Sequence, residues 1–86
     1  MPVSTLDANI REILGKQGRL PVDANLLNDT DDLFEAGMTS HASVNVMLAL
    51  EDTFDIEFPE ELLRKATFSS ISAIRAALES LGVSNT

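Results

Sequence analysis

The chain has 86 residues, with 14 acidic and 6 basic side chains, a formal net charge of −8, and no cysteine, tryptophan or tyrosine. That length holds one small domain with a modest core, the missing cysteines exclude a disulfide framework or zinc knuckle, and a polyanionic surface without Trp or Tyr argues against nucleic-acid binding. The N-terminus "MPVSTLDANI" lacks the pattern of a secretory signal and no apolar run reaches transmembrane length, so the chain reads as soluble, cytoplasmic and monomeric, without membrane insertion.

Leu6, Ile10, Ile13 and Leu14 recur at i, i+4, i+7 and i+8 and predict a first helix over 4–16. Ser4 with Asp7 forms a weak capping-box signal at its start, and Gly15 and Gly18 mark its end. From 19 to 39 no periodicity is sustained, and Pro21, Asn/Asp pairs and Gly37 punctuate the segment. A loop of that length in so small a domain is usually functional or disordered. Leu26, Leu27, Leu33 and Phe34 predict that this one folds back onto the core.

The second helix is predicted over 39–54, with Thr39 or Ser40 as its cap. Val44, Met47, Leu48 and Phe54 are expected on its apolar face, Leu50 near the edge of that face, and Glu51, Asp52 and Asp55 elsewhere. A short third helix is predicted over 59–65, where Pro59 suits a first turn and Glu60 and Glu61 suit the helix dipole. The fourth, over 69–81, starts at Ser69 or Ser70, carries Ile71, Ile74, Leu78 and Leu81, and ends at Gly82 before a frayed "VSNT" tail. No strand pattern competes. The expectation is an all-α, small four-helix bundle of three longer helices and one short one, a single domain over 1–86.

Charge is distributed unevenly. Eleven acids and no Lys or Arg fall between Leu20 and Leu63, and Arg11, Lys16, Arg19, Arg64, Lys65 and Arg75 all lie outside that stretch. A solvated face accounts for most such runs; the sharper reading is a docking surface for basic partners, with Glu51, Asp52, Asp55, Glu57 and Glu60 as its candidates.

Several chemistries fail on spacing. "DTDDLFEAG" from Asp29 has Leu33 and Phe34 where a calcium loop needs its fifth-position ligand and sixth-position glycine. Ser40 and His41 are adjacent, so on a helix their side chains point about 100° apart and form no nucleophile–base pair. With one histidine, no cysteine and no deep pocket expected, a small hydrolase is disfavoured. Met38, Met47 and the phenylalanines at 34, 54, 58 and 68 read most simply as core, with a ligand-binding lining as the lesser alternative.

An exposed serine at the start of an amphipathic helix therefore needs another purpose. "DLFEAGMTSHASVNVMLALEDTFDIEFPEELL", Asp32 to Leu63, resembles the heart of the acyl and peptidyl carrier proteins, which have a glycine, an apolar residue, Asp and then Ser before such a helix. The acidic "E-x-x-F-x-I-x-(apolar)-P" segment that follows in the family is matched by Glu51, Phe54, Ile56, Phe58 and Pro59. Thr39 stands where Asp is usual and His41 where Leu is usual. The resemblance implies that a phosphopantetheinyl transferase attaches 4′-phosphopantetheine covalently to Ser40 and reads the flanking Thr39 and His41. At a helix start, free N–H groups and the dipole would favour the phosphodiester by about 0.3–1 kcal/mol.

It further implies a non-catalytic, free-standing carrier. A ligase activates a carboxylic acid, the arm holds it as a thioester, and a downstream acyl-transferring enzyme receives it. "GMTS" departs from the "G-L-D-S" form of fatty-acid carriers, which favours a small aminoacyl cargo. A wet fatty chain would forfeit about 0.8 kcal/mol per methylene, whereas an ammonium is costly to bury. The alternatives are a fatty acyl cargo and an unmodified acidic helical interaction module.

Overall fold

The computed structural model describes residues 5–83; Ser4 and positions 84–86 of the expected tail lie outside them. Three α-helices form: α1 (Thr5–Gln17), α2 (Ser40–Phe54) and α3 (Ile71–Ser80), with short 3-10 turns at Ala24–Leu26, Glu60–Leu62 and Lys65–Phe68. Among the described residues there is no strand, and no helix is long and apolar enough to cross a membrane.

The stripe expected on α1 is the buried one: Leu6, Ile10, Ile13 and Leu14 all lie in the core. The helix runs through Gly15 and closes at Gly18, whose N–H donates to the Leu14 carbonyl at 2.9 Å. A Cβ on Gly18 would sit 2.7 Å from that oxygen, so the close return of the backbone requires glycine.

The face of α2 differs from expectation. Ala42, Val46 and Leu50, at i, i+4 and i+8, are fully buried, while Val44 and Leu48 are 49% and 52% exposed. Apolar side chains surround most of this helix, so bulk alone points to the wrong stripe. Ala42 belongs to the buried core, and Met47 and Phe54 pack at its margin.

The 59–65 segment also differs. Two 3-10 turns stand where one short α-helix was expected, separated at Arg64, whose backbone is extended (φ −145°, ψ 161°). That extended residue carries the chain on so that Phe68 packs edge-on against Phe58, with centroids 5.4 Å apart. Leu62 joins the core while Leu63 stays 48% exposed.

α3 begins after Ser70, whose Oγ accepts from the Ala73 N–H at 3.1 Å. Its face of Ile71, Ile74, Ala77 and Leu78 is buried, and Gly82 (φ 92°) turns the chain so that the Val83 N–H donates to the Leu78 carbonyl.

The long loop does fold back. Ala24 and Leu33 are buried, and Leu27 and Phe34 pack at the edge of the core, but Leu26 is 80% exposed. Arg11 of α1 donates to the carbonyls of Ala24 and Leu27 and to Asp29, and the Ser72 N–H of α3 donates to the Asp29 carbonyl. The loop is thus bonded to two helices rather than left loose.

Candidate functional site

The turn that delivers Ser40 is built from Asp32 onward. Asp32 Oδ1 accepts from the N–H groups of Phe34 and Glu35, and its carbonyl accepts from the Ala36 N–H. Gly37 (φ 122°) then reverses the chain, and the Met38 N–H donates to the Leu33 carbonyl at 3.0 Å. Leu33 and Met38 are both buried and bracket this turn. The Leu33 N–H also reaches the Ser69 carbonyl at 2.7 Å, which ties the turn to the entrance of α3.

Thr39 caps α2. Its backbone is extended (φ −83°, ψ 163°) and its Oγ1 accepts from the Ala42 N–H at 3.0 Å. Ser40 is therefore the first helical residue and not the cap. It is exposed, and among the described residues nothing bonds its hydroxyl; its carbonyl accepts from Ser43 Oγ at 2.6 Å. His41 is exposed beside it. The hydroxyl thus stands clear at the start of α2, open to solvent.

Beside Ser40 lies a groove of about 330 Å³ between α2 and the Lys65–Phe68 turn. Its apolar walls are Phe34, Val44, Met47, Leu63 and Phe68. Ser43, Arg64 and Lys65 also line it, and the Lys65 ammonium sits 4.9 Å from the centroid of the Phe34 ring. The sequence ranks Phe34, Met47 and Phe68 as core ahead of a ligand lining and does not place Leu63, Arg64 or Lys65 with them. Three separate segments build the groove, so no local period reports it. The one available signal was the boundary at Leu63, where the acidic stretch ends in two consecutive bases.

Four of the five acidic candidates, Asp52, Asp55, Glu57 and Glu60, are exposed. Glu51 is half-buried and occupied: its Oε2 accepts from the Phe58 N–H at 2.9 Å and holds the α2 exit against the core. Asp55 ends α2 in the left-handed region (φ 53°, ψ 51°). The acids of the rejected calcium loop have local duties. Asp29 pairs with Arg11 and Arg75, Asp31 accepts from the Asn28 N–H, and Asp32 shapes the turn before Ser40.

A profile of the family described as phosphopantetheine attachment site matches residues 5–78, a span that includes the whole of α1 and α2 and the turn before Ser40. The chain belongs to this family of carrier proteins, whose members bear a covalently attached 4′-phosphopantetheine. An aminoacyl carrier protein of Agrobacterium fabrum (strain C58 / ATCC 33970) is 51% identical over 69 residues, covering 80% of this chain and 83% of that protein. Two crystal structures of an engineered Bradyrhizobium japonicum glycine:carrier protein ligase, complexed with carrier protein from Agrobacterium tumefaciens, contain a chain of the same fold. With AMP the TM-score is 0.83 at 48% identity, over 85% of this chain and 97% of that one. With ATP it is 0.85 at 47% identity, over 87% and 97%.

Proposed function

We propose that Ser40 carries the 4′-phosphopantetheine arm and that the chain, as one carrier domain over 1–86, holds an aminoacyl group for transfer between enzymes. The observation that carries this reading is the free, exposed hydroxyl of Ser40 on the first turn of α2, at the edge of an apolar groove. The residues fit the group: a phosphodiester formed at Ser40 Oγ would meet no bonded neighbour that must first be displaced. When bound, the arm supplies a terminal thiol that accepts an acyl group as a thioester.

The chain itself does no bond chemistry in this reading. Ser40 anchors, Thr39 fixes the helix start by its cap, and His41 presents the other flank to a phosphopantetheinyl transferase. Tethering raises the effective concentration of the cargo at a partner's active site. The partners are that transferase, an amino-acid-activating ligase and a downstream acyl-transferring enzyme. The ligase complexes of the similar Agrobacterium carrier favour a small amino acid such as glycine as cargo. The tightly closed core supports the same choice over a fatty chain, because Val46, Leu50, Ile71 and Ile74 leave no exposed surface.

Intact mass is the test. Co-expression with a phosphopantetheinyl transferase should add one arm to the wild type and none to Ser40→Ala, and a glycine-activating ligase with ATP should then add one glycyl group. An unchanged wild-type mass with every transferase tried would leave the unmodified interaction module as the better reading.

A further inference from the structure

The six basic side chains differ in their partners. Arg11 and Arg75 are tied to Asp29 and Asp7, and Lys16 pairs with Glu12 one turn back. Arg19, Arg64 and Lys65 form no ion pair with a described residue, and of these three Arg64 and Lys65 follow directly on the stretch rich in acids. Both are exposed, and both line the groove that Ser40 lines. The Lys65 ammonium makes a cation–π contact with the Phe34 ring of the groove wall, which favours this position of the charge.

An arm on Ser40 brings one new anion, its phosphodiester, to a chain whose net charge is already −8. Placed beside the acids of α2 and its exit, that anion would be repelled. Placed beside Arg64 and Lys65, it meets two cations of the groove that no described carboxylate occupies. An arginine offers a planar fork to phosphate oxygens and a lysine a point charge, and charge-assisted bonds of this kind are about twice as strong as neutral ones. The walls of Val44, Met47, Leu63 and Phe68 suit the methyl and methylene groups of a pantetheine.

We propose that Arg64 and Lys65 bind the phosphodiester of the arm on Ser40 and lay the pantetheine along the groove between α2 and the Lys65–Phe68 turn. This gives the arm a resting position on the carrier's own surface and rests on the reading of Ser40 as the attachment residue. Partners draw the arm out of this position, and because ion pairs at an exposed site are screened, added salt loosens it. Arg64 and Lys65 act here as positioning residues.

The test compares apo and holo forms of the wild type, Arg64→Gln/Lys65→Gln and Lys65→Arg by amide chemical shifts, with intact mass confirming the arm in each. Wild-type holo protein should shift residues around Ser40 and also Phe34, Lys65 and Phe68 on the groove wall, with the wall shifts fading as salt rises. The double variant should keep the shifts around Ser40 and lose those at Phe34 and Phe68, and its phosphorus resonance should move toward that of the free arm; Lys65→Arg should restore the wild-type pattern. Unchanged apo spectra establish that the variants fold. An arm present by mass with shifts confined to 39–44 in the wild type, or wall shifts that survive in the double variant, overturns this inference and leaves the proposed function standing. No arm by mass on the wild type overturns both.

Discussion

Arg11 and Asp29 lie 18 positions apart in the chain, and their side chains meet at 2.8 Å. The same guanidinium donates to the carbonyls of Ala24 and Leu27 at 2.7 Å each, so one side chain of α1 fixes three points of the long loop. Asp29 is shared with Arg75 of α3, whose shorter bond, 2.6 Å, goes to Asp7. The two arginines thereby fasten the loop, α1 and α3 together.

Arg11→Ala removes three charge-assisted bonds from a largely buried site and should destabilise the fold by about 2–3 kcal/mol. For a domain of this size that corresponds to a fall in Tm of roughly 10–20 °C, read by circular dichroism. Arg11→Lys should recover only part of it, since a lysine cannot serve all three acceptors through a planar fork. A Tm within a few degrees of wild type for Arg11→Ala would show that the loop is held by its apolar contacts alone.

Arg75 gives a prediction about pH. Its hydrogen bond to Asp7 raises the guanidinium pKa above its ordinary value, partly opposed by burial and helped by the bond to Asp29. A raised folded-state pKa contributes stability that is fully present below the unfolded value and is lost only as pH rises through the folded one. Arg75→Gln should therefore lower stability by about 1.5–3 kcal/mol, and this loss should stay constant between about pH 6 and about pH 10. Melting curves of the two proteins across that range should run parallel; convergence before the upper limit would contradict the assignment.

Thr39 and Ser40 play different parts at the start of α2. Because Thr39 Oγ1 accepts the Ala42 N–H, Thr39→Ala should cost about 0.5–2 kcal/mol, and Thr39→Asp should retain the cap. Ser40→Ala removes a hydroxyl that no described residue bonds, so its stability should stay within about 0.5 kcal/mol of wild type. Denaturant unfolding of the three variants measures the ordering. A larger loss in Ser40→Ala than in Thr39→Ala would reassign the cap.

Charge reversal at Asp52, Glu57 and Glu60 should slow association with an amino-acid-activating ligase and flatten its salt dependence, because exposed charges are screened beyond about 10 Å at 0.1 M salt. Glu51→Lys is a different experiment. It removes the acceptor of the Phe58 N–H and should lower stability as well as binding. Loading rates against ionic strength distinguish the two, and rates indifferent to both salt and reversal would mark the acidic face as merely solvating.

Cargo is read by comparing amide shifts of glycyl- and octanoyl-loaded protein with the holo form. The buried positions Val46, Ile71 and Leu78 should be unmoved by either cargo. Octanoyl-specific shifts at those positions would mean that the bundle opens to shelter a chain.

The sequence disclosed what repeats locally and obscured what is built at a distance. α1 and α3 each carry their large apolar side chains on one stripe, so their buried faces were legible from spacing. α2 carries apolar side chains almost all round, and the burial of Ala42 in preference to Val44 is decided by the side on which the rest of the chain packs, which no composition rule records. The extended backbone at Arg64 likewise answers to the pairing of Phe68 with Phe58, ten positions away in the chain. The exposed start of α2 at Ser40 was legible because its surroundings are contiguous; the groove beside it joins Phe34, Met47 and Phe68 and exists only after folding.

Phe34, half-buried under the Lys65 ammonium, has an optical use. The chain contains no tryptophan and no tyrosine, so emission from a Phe34→Trp variant would come from the groove alone, and an indole is a better cation–π partner for Lys65 than a phenyl ring. That single fluorophore would follow the arrival, departure and loading of whatever occupies the groove in real time, on a protein otherwise silent at those wavelengths.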